Sequence, residues 1–247
     1  PFGTYNPFYK VDAVFNMVIQ KFKLAKNRQS AHKLAEEALE VVGLRPHEIL
    51  GKYPHELSGG QRQRIMVARA FLLSPRLIVA DEPVSMIDAS LRATVLGSLQ
   101  RFKEEFGISI IYITHDLTTA YQIGDNIIVL YRGTVAEAGS VDLVVRQPKH
   151  PYTRLLVGSI PVPNPDHSWA AEAAAALPNQ PRATTACKFA DRCPAAMAKC
   201  LQQAPPLYQT EPQRAASCFL YEGAPMLRAE QMDQVLQAHD GMQSAAR

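Results

Sequence analysis

The sequence predicts an α/β fold built on a parallel sheet. Three observations carry that prediction. Short apolar runs rich in β-branched residues recur at "RLIVAD", "ISIIYI" and "NIIVLY"; helical stripes separate them; and the first two runs end in polar residues, Asp81-Glu82 and Thr114-His115. Strands alternating with helices belong to folds whose ligands gather at the carboxyl ends of the strands.

The chain has 247 residues, enough for one large domain or a domain with an appendage. Hydrophobic residues make up 47% and charged residues 20%, the balance of a soluble globular protein. A net charge of +3 and tracts as short as "QRQR" do not make a nucleic-acid surface, and the tract is expected to be a solvated helix face. No apolar run approaches the ~20 residues that span a bilayer. "PFGTYNPFYK" lacks the charged lead and apolar core of a signal peptide, so the expected compartment is the cytosol.

The elements follow in order. "VDAVFNMVIQKF" sets Val11, Val14, Phe15, Val18 and Phe22 at three- and four-residue steps, the stripe of an amphipathic helix. "SAHKLAEEALEVVGL" repeats the pattern, with Ser30 as candidate N-cap and Gly43 as candidate C-cap. After the turn "RPHEILGKYP", a helix is expected from Ser58 to about Ser74, where Pro75 stops it. "RLIVAD" has the length and β-content of a buried parallel strand. Leu91, Val95, Leu99, Phe102 and Phe106 then mark a helix that Gly107 closes. "ISIIYI" is a second buried strand, followed by a short helix to Gly124 and the third strand "NIIVLY". "RGTVAEAG" reads as a turn and an edge strand, and "HPYTRLLVGSIP" as a helix opened by Pro151. Beyond about Pro161 a proline- and alanine-rich linker leads to a segment with all four cysteines and then a weakly helical, polar tail.

Three constellations point to chemistry. Asp81-Glu82 places adjacent acids on the ligand side of a strand, so one can hold Mg²⁺ while the other orients or deprotonates an attacking water. The alternative is a helix-cap aspartate beside a solvated glutamate. In "LSGGQ", Ser58 can cap a helix. Gly59 and Gly60 leave backbone N–H groups open at the positive end of the helix dipole, where a phosphate fits. A flexible turn is the alternative there. His115 is either a packed residue or, within reach of a γ-phosphate, a sensor of its charge.

Taken in order, "LSGGQ" at 57–61, "LIVADEP" at 77–83, "SMID" at 85–88 and "ITHD" at 113–116 resemble the ATP-binding cassette (ABC) ATPases. The resemblance implies a P-loop NTPase-like α/β cassette with a helical subdomain, ATP as ligand, and Mg²⁺. It implies Glu82 as general base, His115 at the γ-phosphate and Asp81 at Mg²⁺. Ser58, Gly59, Gly60 and Gln61 would close over the nucleotide held by a second ATPase subunit, identical or not, with Asp88 communicating across the dimer. No G-x-x-x-x-G-K-[ST] occurs in the sequence. The expectation is that roughly the first third of a cassette is missing from it. That leaves a non-catalytic, partner-docking or metal-binding fragment as the alternative reading.

"PFGTYNP", "KHPYTRLLVGSIP" and the late cysteines further resemble the oligopeptide/dipeptide importer ATPases of bacteria, a group that also serves nickel and oligosaccharides. The resemblance implies transmembrane permease partners docked on the helical region, a separate substrate-binding protein, and a peripheral place on the cytoplasmic face of the inner membrane. DNA-repair ATPases insert long coiled coils, and translation-type proteins carry a second signature; neither feature is present.

Cys187, Cys193, Cys200 and Cys218 are spaced C-x5-C-x6-C-x17-C. In a reducing compartment the clustering points to metal rather than disulfides. Four thiolates suit zinc or an iron–sulfur cluster, and reduced thiols stay open. The resemblance favours [4Fe–4S]. The expected organisation is therefore a Q-loop remainder and helical subdomain at 1–56 and the signature and strand motifs of the ATPase core at 57–148. A C-terminal helix and linker follow at 149–186, the cysteine cluster at 187–222 and a tail at 223–247.

Overall fold

The computed structural model describes residues 5–85, 89–160 and 185–236. They form two compact units, the first ending at His115 and the second beginning at Asp116.

The first unit opens with helices α1 (Asp12–Lys21), α2 (Arg28–Val41) and α3 (Pro46–Ile49), then α4 (Gly59–Phe71). Val11, Phe15 and Ile19 bury the predicted stripe of α1, and Ala35, Ala38 and Leu39 bury that of α2. The N-cap of α2 is Asn27, not Ser30. Asn27 Oδ1 accepts from the Ser30 amide at 2.8 Å, and Ser30 Oγ accepts from the Asn27 amide at 3.2 Å. Ser30 is thus the return arm of a reciprocal capping box, a role its position three residues into the helix dictates. At the other end the Gly43 amide donates to Glu40 O and the Leu44 amide to Leu39 O, each at 2.9 Å. These paired bonds occupy carbonyls the helix leaves over.

Strand β1 (Leu77–Asp81) follows, then α5 (Ala89–Glu104) and β2 (Ser109–Ile113). β1 and β2 pair in parallel from Leu77↔Ser109 to Asp81↔Ile113. They were expected to be buried on both faces. Instead Leu77, Val79, Ile111 and Ile113 are exposed while Ala80 is buried and Ile78, Ile110 and Tyr112 are intermediate. The apolar runs made the strands legible, but among the described residues only one face of this two-stranded sheet is covered. Val95, Leu99 and Phe102 of α5 are fully buried, with the Phe71 ring stacked on Phe102 at 4.9 Å. Phe106, placed in the same predicted stripe, is exposed along one side and meets Phe71 edge-on.

The second unit contains α6 (Leu117–Ile123), β3 (Asn126–Tyr131), β4 (Thr134–Ser140), α7 (Val141–Arg146), α8 (Pro151–Gly158), α9 (Ala198–Gln202), β5 (Tyr208–Glu211) and β6 (Arg214–Ala216). The third predicted strand, β3, pairs antiparallel with β4. β4 is not an edge: the sheet order is β3-β4-β6-β5, so two strands from the cysteine-bearing segment complete it. Gly139 sits opposite Arg214 at φ +148°, where a Cβ would collide with the Gln213 carbonyl oxygen. Only glycine allows that approach.

A buried polar network holds this unit. Glu137 of β4 is fully buried and accepts the amides of Lys149 (3.0 Å) and His150 (2.9 Å). Burial pushes its carboxyl up and those amides pull it back. Arg214 of β6, also fully buried, donates to the carbonyls of Leu143 (2.7 Å) and Gln147 (2.5 Å) and pairs with Glu211. It therefore satisfies the exposed carbonyl end of α7. His150 caps α8 ahead of Pro151, its Nδ1 accepting from the Tyr152 amide at 3.0 Å.

Because Nδ1 accepts, the ring is neutral, and burial lowers the His150 pKa from 6.5 to about 4. The unfolded chain takes up a proton below pH 6.5 that the folded ring refuses. The contribution is complete above pH 6.5 and declines as pH falls toward 4, by about 3 kcal/mol in all. Denaturant unfolding at stepped pH is expected to show this loss in the wild type and its absence in His150→Gln. Equal acid sensitivity of the two proteins would remove His150 as its source.

Candidate functional site

The parallel register decides the first part of the site. Asp81 is level with Ile113, so the residues that follow each strand emerge side by side. The Glu82 amide extends the ladder by donating to Ile113 O at 2.9 Å. Glu82 Oε1 accepts from the His115 amide at 3.1 Å and lies 2.6 Å from His115 Nδ1. With Glu82 as carboxylate acceptor, the Nδ1 proton belongs to the histidine. Nε2 is then the ring atom left for a ligand, on a side chain 80% exposed. Glu82 Oε2 is the oxygen left to face a water.

Glu82 has φ +47°, a conformation that costs a non-glycine residue roughly 1–3 kcal/mol. Several bonds hold it there. Besides its ladder and histidine contacts, its carbonyl accepts from the Ser85 amide (3.3 Å) and Ser85 Oγ (3.0 Å). Strain held in place by surrounding contacts is common at functional positions. Asp81 is exposed at the carboxyl end of β1, and its hard oxygens suit a divalent cation such as Mg²⁺.

The second part is the start of α4. Ser58 Oγ accepts from the Gln61 amide at 3.2 Å, and Gln61 Oε1 accepts from the Ser58 amide at 2.9 Å. This box leaves the amides of Gly59 and Gly60 as the first-turn donors without an intrahelical acceptor. Ser58 is exposed and Gly59 partly so, but Gly60 is buried. A Cβ on Gly60 would stand 2.5 Å from Leu91 Cδ1, so this glycine also serves packing, which the sequence reading missed.

The "QRQR" tract is not a solvated face. Arg62 and Arg64 are half-buried. Arg64 donates to Gly43 O at 3.0 Å, Arg101 of α5 donates to Val41 O at 3.1 Å, and the buried Tyr5 hydroxyl donates to Arg62 O at 2.6 Å. Burial raises the Tyr5 phenol and lowers the Arg64 guanidinium. The Tyr5 and Arg64 bonds fix α4 against its neighbours and the Arg101 bond ties α5 to α2, and nothing local in the sequence marks them. Asp88 lies outside the described residues.

The four cysteines come together in the second unit without disulfides. The Cys187 amide donates to Cys200 O at 2.9 Å. Burial pushes the Cys193 thiol up to about 11, with Cys218, Cys187 and Cys200 adding to the shift against a hydrogen bond at the Ala195 backbone. Cys218 is raised by burial and by Cys200 and Cys187. Among the described residues, no group of three or more His, Cys, Asp or Glu side chains stands in metal-ligating geometry.

The family described as "ABC transporter" matches residues 7–85, and that described as "Oligopeptide/dipeptide transporter, C-terminal region" matches residues 136–200. The oligopeptide transport ATP-binding protein AppD of Bacillus subtilis is 37% identical over 223 residues, 90% of this chain and 68% of that one. YkfD of the same organism is 38% identical over 227 residues, 91% of this chain and 69% of that one. The chain spans about two thirds of the length of these relatives. A dimeric ATP-binding cassette solved in a post-hydrolysis state with ADP and Pi aligns at a TM-score of 0.50 and 30% identity, covering 56% of this chain and 59% of that one. Identity of this extent along most of the chain settles its kinship: it belongs to the ATP-binding proteins of ABC transporters, in the oligopeptide/dipeptide group.

Proposed function

We propose that this chain supplies an ATPase subunit of an importer for oligopeptides or dipeptides. The observation that carries the reading is the pairing of Glu82 with His115 at the carboxyl ends of β1 and β2. Glu82 polarises the attacking water through Oε2 while His115 holds its other oxygen and presents Nε2 to the γ-phosphate. Asp81 would hold Mg²⁺, which neutralises charge on the phosphates. Ser58, Gly59, Gly60 and Gln61 close over the nucleotide of a second cassette, and Asp88, which lies outside the described residues, would communicate across the dimer. Catalysis here is positioning and electrostatics.

Among the described residues no helix is long and apolar enough to cross a membrane. The kinship with oligopeptide transport ATP-binding proteins, not that absence, leads the reading to assign transport to permease partners and this subunit to the cytoplasmic face of the inner membrane. A separate binding protein delivers the peptide.

Removing only the base tests the first site. Glu82→Gln is expected to lower turnover by about a hundred- to ten-thousandfold with ATP binding kept. Hydrolysis at the wild-type rate would remove Glu82 from its role. Ser58→Arg fills the capping position and is expected to block ATP-driven closure of the two cassettes. Closure at wild-type nucleotide concentrations would remove the loop from the site.

For Cys187, Cys193, Cys200 and Cys218 we propose a [4Fe–4S] centre. Its support is that the Cys187 amide bonds to Cys200 O, and that the Cys193 and Cys218 thiols are raised first by burial and then by the cysteines around them, so the four share one region of the unit. Thiolates crowded this way need a cation to balance them. The cysteines would supply the ligands. Anaerobically purified protein is expected to be brown and to contain iron, with both lost in Cys193→Ser. Colourless protein containing zinc would assign a structural zinc site instead.

A further inference from the structure

We infer that Leu91, in the first turn of α5, is the positioning residue for the capping loop at Ser58–Gln61. The inference rests on the reading of that loop as the cap over a partner's nucleotide, and it names what holds the cap in place.

Gly60 has ordinary helical backbone, so conformational freedom is not what it contributes. It is buried, and the surface that buries it is Leu91: an added Cβ would stand 2.5 Å from Cδ1 and 3.3 Å from both Cβ and Cγ of that side chain. The Ser58–Gln61 box ties the loop only to itself. The Tyr5 and Arg64 hydrogen bonds act further along α4, at Arg62 O and from Arg64. Among the described residues, Leu91 is thus the side chain packed directly against the first turn at Gly60, where the amides of Gly59 and Gly60 lie.

Leu91 is also the third residue of the helix that follows "SMID" directly. A displacement at the start of α5 moves Leu91, and the close fit passes that movement to Gly60. The stretch after the catalytic acid and the cap over the other nucleotide are thereby coupled within one subunit. The side chain touches no substrate; it acts through backbone position.

The test is a size exchange measured on the assembled transporter. Gly60→Ala is expected to reduce ATP-driven closure and turnover about tenfold, with nucleotide binding to the open cassette unchanged. Leu91→Met should behave as wild type. In the double variant Gly60→Ala/Leu91→Ala, space returns for the new methyl, and the loss is expected to shrink to about threefold or less. Thermal midpoints of all variants identify any that fail to fold, and Leu91→Val then replaces Leu91→Ala in the exchange.

A double variant whose loss equals the product of the two single losses overturns the inference, because Gly60 and Leu91 then act independently. That outcome would mean the methyl obstructs the nucleotide rather than the packing. Failure of the underlying reading looks different: Ser58→Arg would leave closure intact whatever the size exchange gives.

Discussion

The site depends on a single register. With Asp81 opposite Ile113, the Glu82 amide finds the Ile113 carbonyl and Glu82 lands beside His115. A slip of one residue would send every side chain of the strand to the opposite face and break the 2.6 Å contact between Oε1 and Nδ1. The two residues are 33 apart in the chain, so neither local propensity nor a short motif can bring them together. Parallel pairing does it by making both strands end at the same level. The strained backbone at Glu82 follows: the chain must turn sharply after Asp81 while keeping one more ladder bond.

Much of this was legible. Apolar runs gave the strands, three- and four-residue steps gave the helices, and "SGGQ" gave the start of α4 with Ser58 as its cap. What escaped notice depends on partners distant in sequence. An apolar strand reads the same whether one or both faces are covered, so the exposure of Val79 and Ile111 could not be foreseen. β4 was read as an edge because β6, which pairs with it, arrives some seventy-five residues later. Asn27 was passed over for Ser30 because both residues belong to one capping box, and the sequence does not say at which of the two the helix begins. Gly60 was read as a phosphate site or a flexible turn, and not as a packing position, because the side chain it accommodates lies on another helix.

The second unit shows how charge can occupy a core. A buried carboxylate and a buried guanidinium each cost several kcal/mol to desolvate, and pairing alone does not always recover that. Here neither relies on pairing alone. Glu137 takes two backbone amides from the turn before α8, and Arg214 gives to two backbone carbonyls at the end of α7. Those backbone groups would otherwise be left without partners as the chain passes between helices. The charges thus fix two helix ends to two adjacent strands, β4 and β6, and β6 belongs to the cysteine-bearing segment. Deleting either charged residue would strand polar backbone as well as its former partner.

The same economy explains why glycine and glutamate occupy places that general stability would assign otherwise. Gly60 weakens a helix start, yet any side chain there meets Leu91. Glutamate at φ +47° is strained where glycine would rest. In each case the local loss fixes an atom to which the proposed function gives a role: an amide at the head of α4, and a carboxylate whose Oε1 is held by His115. A larger residue at position 60 would meet Leu91, and a glycine at position 82 would relax the backbone but lose the carboxylate that contacts His115. The structure therefore departs from local preference at two of the positions the chemistry needs. At both, the compensating contacts come from an element far along the chain: Leu91 of α5 for the cap, and the end of β2 for the acid.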